Sequence, residues 1–174
     1  MMRDQESRAR LCRCCPSTGP RLRVKRNHAP HVAPELSVTE PDLDALFEAA
    51  AAVRERAHAP YSGFAVGAAL LDEAGGIHAG CNVENAAYPV GTCAEAGAIA
   101  AMIAAGGREI RAILVLADSP DPITPCGACR QRIREFAHPG TPILSGSPEA
   151  VRARYTLDQL LPASFGPEHL AHGA

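Results

Sequence analysis

The chain has 174 residues, 47% of them apolar, which suits a single domain with one sizeable core and excludes two large domains. Its 17 basic and 19 acidic residues give a net charge of −2, but residues 1–35 carry eight basic residues against three acids, net +5, and the remainder nine against sixteen, net −7. The longest run without Asp, Glu, Lys or Arg, from Ala57 to Leu71, is 15 residues, contains Pro60, and falls short of the roughly 20 needed to span a bilayer.

Seven cysteines would suggest disulfides in a secreted chain, yet Met1 to Ser7 offers no apolar stretch for a signal peptide. The expectation is a reducing cytoplasm, where cysteines are buried, metal-bound or catalytic rather than paired. An aromatic content of 4% with no tryptophan argues against reading nucleic acid by base stacking.

Residues 1–35 combine Pro16, Pro20, Pro30 and Pro34 with the arginine excess and few large apolar residues. Such a stretch buries too little to offset its ordering entropy, so it is expected to be a disordered basic extension, with the folded domain spanning 36–174. A metal or redox site at Cys12, Cys14 and Cys15, or a nucleic-acid tail of arginines, competes with that reading.

Thr39 is a candidate N-cap before Glu40, Pro41 and Asp42, and Leu43, Leu46, Phe47, Ala50, Val53 and Ala57 then form one helical stripe that ends before Pro60. Residues 65–71 and 77–83 read as strands joined by Asp-Glu-Ala-Gly-Gly, a hairpin signal. A helix from Cys93 to Ala105 stops at Gly106 and Gly107, and Ala112 to Ala117 is a fully apolar strand suited to a buried central position. The loop Asp118 to Pro125 leads into a helix from Cys126 to Ala137. Strand signals recur at Pro142–Leu144 and Arg152–Thr156, and a short helix at Leu157–Leu161 closes the pattern. The order α-β-β-α-β-α-β-β-α suggests one mixed sheet covered by helices on both faces.

Three cysteines and a glutamate stand at predicted helix starts: Cys93-Ala94-Glu95 opens one helix and Pro125-Cys126-Gly127-Ala128-Cys129 the other. A helix N-terminus offers free N–H groups and partial positive charge, which favour the thiolate that binds metal. Cys126 and Cys129, at i and i+3, share a face, and Pro125 is tolerated at a helix start. Three thiolates leave the fourth position of a tetrahedral zinc open, the arrangement of a catalytic site, where bound water is acidified to a pKa of about 7. Glu95, two residues past the first ligand, is placed to take the water's proton and return it to a substrate nitrogen. A closed site using Cys81 as a fourth ligand would make the zinc structural instead, but leaves Glu95 and Pro125 unexplained.

C-x-E followed by P-C-x-x-C is a zinc-deaminase signature. With Pro60-Tyr-Ser-Gly-Phe-Ala-Val-Gly-Ala-Ala-Leu-Leu71, Gly80-Cys-Asn-Val-Glu-Asn-Ala-Ala-Tyr-Pro89, Pro125-Cys-Gly-Ala-Cys-Arg-Gln131 and Leu160-Leu-Pro-Ala-Ser-Phe-Gly-Pro-Glu-His-Leu170, the chain from about 40 to 171 resembles the cytidine deaminases, in their small homotetrameric branch with three cysteine ligands. The resemblance implies an α/β three-layer α-β-α sandwich with one mixed five-stranded sheet. It implies one zinc per chain on Cys93, Cys126 and Cys129, with Glu95 as proton shuttle, and hydrolysis of free cytidine and deoxycytidine to uridine and deoxyuridine plus ammonia in pyrimidine salvage. By the same resemblance Asn82 and Glu84 meet the ribose 3′-hydroxyl, Phe64 stacks on the pyrimidine and the Ala94 backbone contacts the base. Tyr88 and Phe165 reach a neighbouring subunit's site, in a homotetramer that takes a small nucleoside and neither nucleic acid nor membrane. Asn82 and Glu84 alternate at the end of a predicted strand, which would point both to one face.

The chain departs from the branch at Ala96, where most members place an arginine that hydrogen-bonds the thiolates. Helix dipoles, or a basic side chain such as Arg130, are expected to take over that role. Among other functions, a polynucleotide deaminase needs a basic groove, which the −7 of residues 36–174 disfavours. A nucleoside-antibiotic deaminase of the blasticidin type is disfavoured by the intact Asn82-Val83-Glu84-Asn85. A structural zinc protein acting as a binding module would keep the metal and turn nothing over.

Overall fold

A computed structural model describes residues 38–170. The expectations for residues 1–35, including Cys12, Cys14 and Cys15, lie outside them. Helix α1 (Glu40–Arg54) is followed by the hairpin β1 (Val66–Asp72) and β2 (Ile77–Cys81), then α2 (Ala94–Ala105), β3 (Ile110–Ala117), α3 (Gly127–Phe136), β4 (Pro142–Gly146), β5 (Val151–Thr156) and the short α4 (Leu157–Leu160). The five strands form one mixed sheet in the order β2-β1-β3-β4-β5, with β3 and β4 parallel and the other pairs antiparallel.

Alternation along the strands builds two cores. Leu70, Ile113, Val115 and Ile143 face one side, where Ala98 and Met102 of α2 and Ile133 of α3 cover them. Leu71, Leu114, Leu116 and Leu144 face the other, under Leu46 and Ala50 of α1. The result is the three-layer α-β-α sandwich expected, and the apolar β3 is its central strand.

Several boundaries differ from the sequence reading by one to three residues, and two of them bear on the site. Helix α1 stops at Arg54, short of Ala57, because the chain beyond it is drawn into pairing with the segment after β2: the His58 N–H donates to the Asn82 carbonyl at 3.0 Å and the Glu84 N–H to the His58 carbonyl at 2.7 Å. Strand β2 ends at Cys81 rather than at 83, because Val83 leaves the ladder to bridge His58 on one side and Thr92 on the other. Asn82 and Glu84 are therefore not strand residues, and strand alternation does not account for their directions.

Two glycines position the site. A Cβ on Gly80 would come within 2.5 Å of the Ala98 nitrogen and 2.7 Å of the Ala94 carbonyl oxygen, so its absence lets the first turns of α2 lie directly on β2. At the other end of α2, Gly106 closes the helix at φ 103, a left-handed conformation that favours glycine.

Candidate active site

Cys93 is the N-cap of α2 and Cys126 the N-cap of α3, both with extended backbone, so each sulfur sits at the mouth of a helix and Cys129 lies one turn into α3. The Cys93 and Cys126 sulfurs are 3.8 Å apart, and the three sulfurs lie within 4.8 Å of one another. An ideal tetrahedron with metal–sulfur bonds of 2.3 Å has edges of about 3.8 Å, so the spacing fits zinc. Cys81, at the end of β2, is not a member of this group, which leaves three protein ligands rather than a closed set of four.

The electrostatics of the cluster fit a cation as well. Burial pushes the Cys126 thiol up, but the N–H groups of Cys129 and Ala128 and the neighbouring thiols outweigh it, so its pKa lies below the ordinary value. Cys93 is raised by burial first and by the nearby Cys126 and Glu95 charges, and Cys129 is raised further by burial and by Glu95. Three thiolates beside a carboxylate need a positive charge among them, which a divalent ion would supply.

Glu95, in the first turn of α2, is 4% exposed, and the Cys129 thiol donates to its Oε2 at 3.3 Å. Arg130 turns away from the sulfurs: its Nε donates to the Pro125 carbonyl at 2.7 Å, one Nη to the Leu160 carbonyl at 2.7 Å and the other to the Thr124 hydroxyl at 2.8 Å. These hydrogen bonds commit Arg130 elsewhere, so it does not take the place of an arginine at 96.

Two adjoining cavities open from the cluster. The inner one, about 360 Å³, is lined by Phe64, Cys93, Ala94, Glu95, Thr124 and Cys126. The outer one, about 500 Å³, holds Tyr61, Ser62, Glu84 and Tyr88. Asn82 and Cys93 line both. The Asn82 amide stands in for a strand partner, its Oδ1 accepting from the Val66 N–H at 2.8 Å and its Nδ2 donating to the Phe64 carbonyl at 2.9 Å. The Glu84 carboxylate accepts from the N–H groups of Tyr61 and Ser62 at 2.9 and 3.2 Å and from the Ser62 hydroxyl. These bonds, the Ser62 hydroxyl foremost, hold Glu84 below the usual carboxylate range.

The cavities thus gather every site residue named from the sequence except Cys129, which is fully buried, and Phe165. Phe165 lines neither cavity; it is 57% exposed, with its ring stacked on His169 at 5.0 Å. Ser62 and Thr124 escaped sequence reasoning, since a hydroxyl in a loop carries no spacing signal of its own.

A family model described as the cytidine and deoxycytidylate deaminase zinc-binding region matches residues 41–144. The chain belongs to this deaminase family. Cytidine deaminase of Sporosarcina psychrophila is 41% identical over 133 residues, covering 76% of this chain and 98% of that protein. The crystal structure of cytidine deaminase from Burkholderia pseudomallei superposes with a TM-score of 0.67 at 44% identity, over 74% of this chain and all of the other. That from Mycobacterium leprae gives 0.59 at 40%, over 69% of this chain and 97% of the other. For a member of a zinc-dependent deaminase family, Cys93, Cys126 and Cys129 are the group that could hold the metal. Among the described residues no helix is long and apolar enough to cross a membrane.

Proposed function

We propose that the chain hydrolyses free cytidine and deoxycytidine to uridine and deoxyuridine plus ammonia, as a cytoplasmic enzyme of pyrimidine salvage, with residues 36–174 as its catalytic domain. The observation that carries this reading is the buried Glu95 carboxylate beside three sulfurs spaced for zinc, with Glu95, Cys93 and Cys126 lining a cavity of about 360 Å³, a size that suits a nucleoside. Zinc, when bound, supplies an acidified water for attack on an amidine carbon. Glu95 would take one proton from that water and pass it to the ring nitrogen N3, and would then pass a second, taken from the hydroxyl left on C4, to the amine as the C4–N bond breaks. Its burial keeps bulk water from competing for the proton.

The remaining roles follow the cavity outward. Phe64 stacks on the pyrimidine, and the Ala94 backbone N–H, in the first turn of α2, has no intrahelical partner and is free to meet the base. After their internal bonds Asn82 keeps one N–H and Glu84 one lone-pair site, a donor and an acceptor that together match one hydroxyl, the ribose 3′-OH. A 3′-phosphate would place like charge against Glu84, which supports a free nucleoside over a polynucleotide. Tyr88 on the rim and the outward Phe165 suit a homotetramer in which each subunit completes a neighbour's site.

The test compares ammonia release from cytidine, deoxycytidine, cytidine 3′-phosphate and single-stranded DNA. Turnover of both nucleosides with neither phosphorylated substrate accepted is expected; faster turnover of the 3′-phosphate or of DNA would overturn the assignment. Sedimentation would check the assembly, a monomer with full activity contradicting shared sites.

A further inference from the structure

The segment after α4 is fastened to α3 at points on both sides of Phe165. Gln131 donates its Nε2 to the Phe165 carbonyl at 2.9 Å. One turn further along α3, Arg134 donates its Nε to the Ser164 hydroxyl at 3.0 Å and pairs through an Nη with the Glu168 carboxylate. The Arg134 side chain is 11% exposed, and it lies so close over Gly166 that a Cβ there would overlap the guanidinium. A planar fork that reaches residues 164, 166 and 168 at once leaves the intervening backbone little freedom. Yet the Phe165 it frames is 57% exposed, its ring stacked on His169 of the same terminal segment, and ordering an aromatic that leaves more than half its surface in solvent costs entropy with limited local return.

We propose that Arg134 is a positioning residue, holding segment 164–168 on α3 so that Phe165 projects where bound substrate can use it; this rests on the deaminase reading above. Arg134 sits five residues beyond Cys129, far enough along α3 that its removal spares the metal ligands. Its signature is a substrate-binding defect that disappears when Phe165 is already gone.

A double-mutant cycle on the full-length zinc enzyme tests this. Arg134→Ala is expected to raise KM for cytidine about tenfold, the scale of one charge-assisted hydrogen bond, with kcat and zinc content little changed. Phe165→Ala raises KM similarly, and the double variant is no worse than the more affected single one. Arg134→Lys, which keeps the charge but lacks the planar fork, recovers part of the loss, and Gly166→Ala, which displaces the guanidinium, mimics Arg134→Ala. A double variant whose KM rise is the product of the two single rises, or an unchanged KM in Arg134→Ala, would overturn the proposal. Should wild-type protein turn over no cytidine, the deaminase reading fails separately. Amide exchange at Gly166 and Leu170 still decides the clamp: faster exchange in Arg134→Ala supports it, and exchange at the wild-type rate removes it.

Discussion

At the cysteine end of the cavity every positioned group hangs from a helix start seated on the sheet, whereas at the outer rim side chains are held by irregular segments and by one another. Cys93, Glu95, Cys126 and Cys129 inherit their directions from α2 and α3, whose faces are locked into the core by Ala98, Met102 and Ile133. Asn82 and Glu84 owe theirs to hydrogen bonds with backbone 16 to 23 residues away, and Tyr61 and Tyr88 meet edge to face in solvent. The contrast separates two demands. Reacting atoms need fixed geometry and exclusion of water, while a nucleoside must enter and leave through a rim that can adjust.

The sharpest way to break this comparison lies at the cysteine end. Cys129→Ser should lower zinc content, measured on the purified protein, and bring ammonia release to background while the far-ultraviolet spectrum stays that of a folded chain. A zinc-replete, active Cys129→Ser would show that the cluster is not the metal site. Gly80→Ala comes next, because it forces a methyl against helix backbone that cannot yield. A loss of about 1–3 kcal/mol in denaturant unfolding is expected, with turnover falling as α2 shifts.

The rim should respond in substrate binding. Glu84→Gln is expected to raise KM for cytidine about tenfold with kcat nearly unchanged. The Ser62 hydroxyl and the N–H groups of Tyr61 and Ser62 depress the folded-state pKa of Glu84. Its contribution is therefore present above the unfolded carboxylate value of roughly 4.3 and lost as pH falls through the lower folded one. Carbon-detected NMR should find Glu84 titrating below that value, and titration at or above it would contradict the hydrogen-bonded rim. Smallest of all, Ala96→Arg should leave turnover and pH optimum nearly where they are, since helix N-termini already favour the thiolates. A large gain with a downward shift of the optimum would show that this compensation is missing.

What could be read from residues alone divides along the same line. The helix starts at Cys93 and Cys126 and the stop at Gly106 were legible because N-caps, Pro125 and glycine act within one turn. The central position of β3 followed from its unbroken apolar run. The ends of α1 and β2 were not legible, because His58 pairs with residues more than twenty positions on, and no local signal competes with Pro60 as a stop. Arg130 illustrates the limit most clearly: its charge suggested service to the thiolates, but Pro125, Thr124 and Leu160 take its donors, and that choice depends on where α4 ends in space. The fastening of Phe165 by Gln131 and Arg134 spans 30 or more residues and was equally invisible.

The central claim is that Glu95 moves protons beside a zinc held by three cysteines, and its most direct measurement is ammonia release from cytidine by zinc-replete Glu95→Gln. The substitution keeps shape and removes the base. A fall in kcat of about 10²–10⁴-fold with one zinc per chain retained is expected. Full turnover in that variant, with zinc in place, would contradict it.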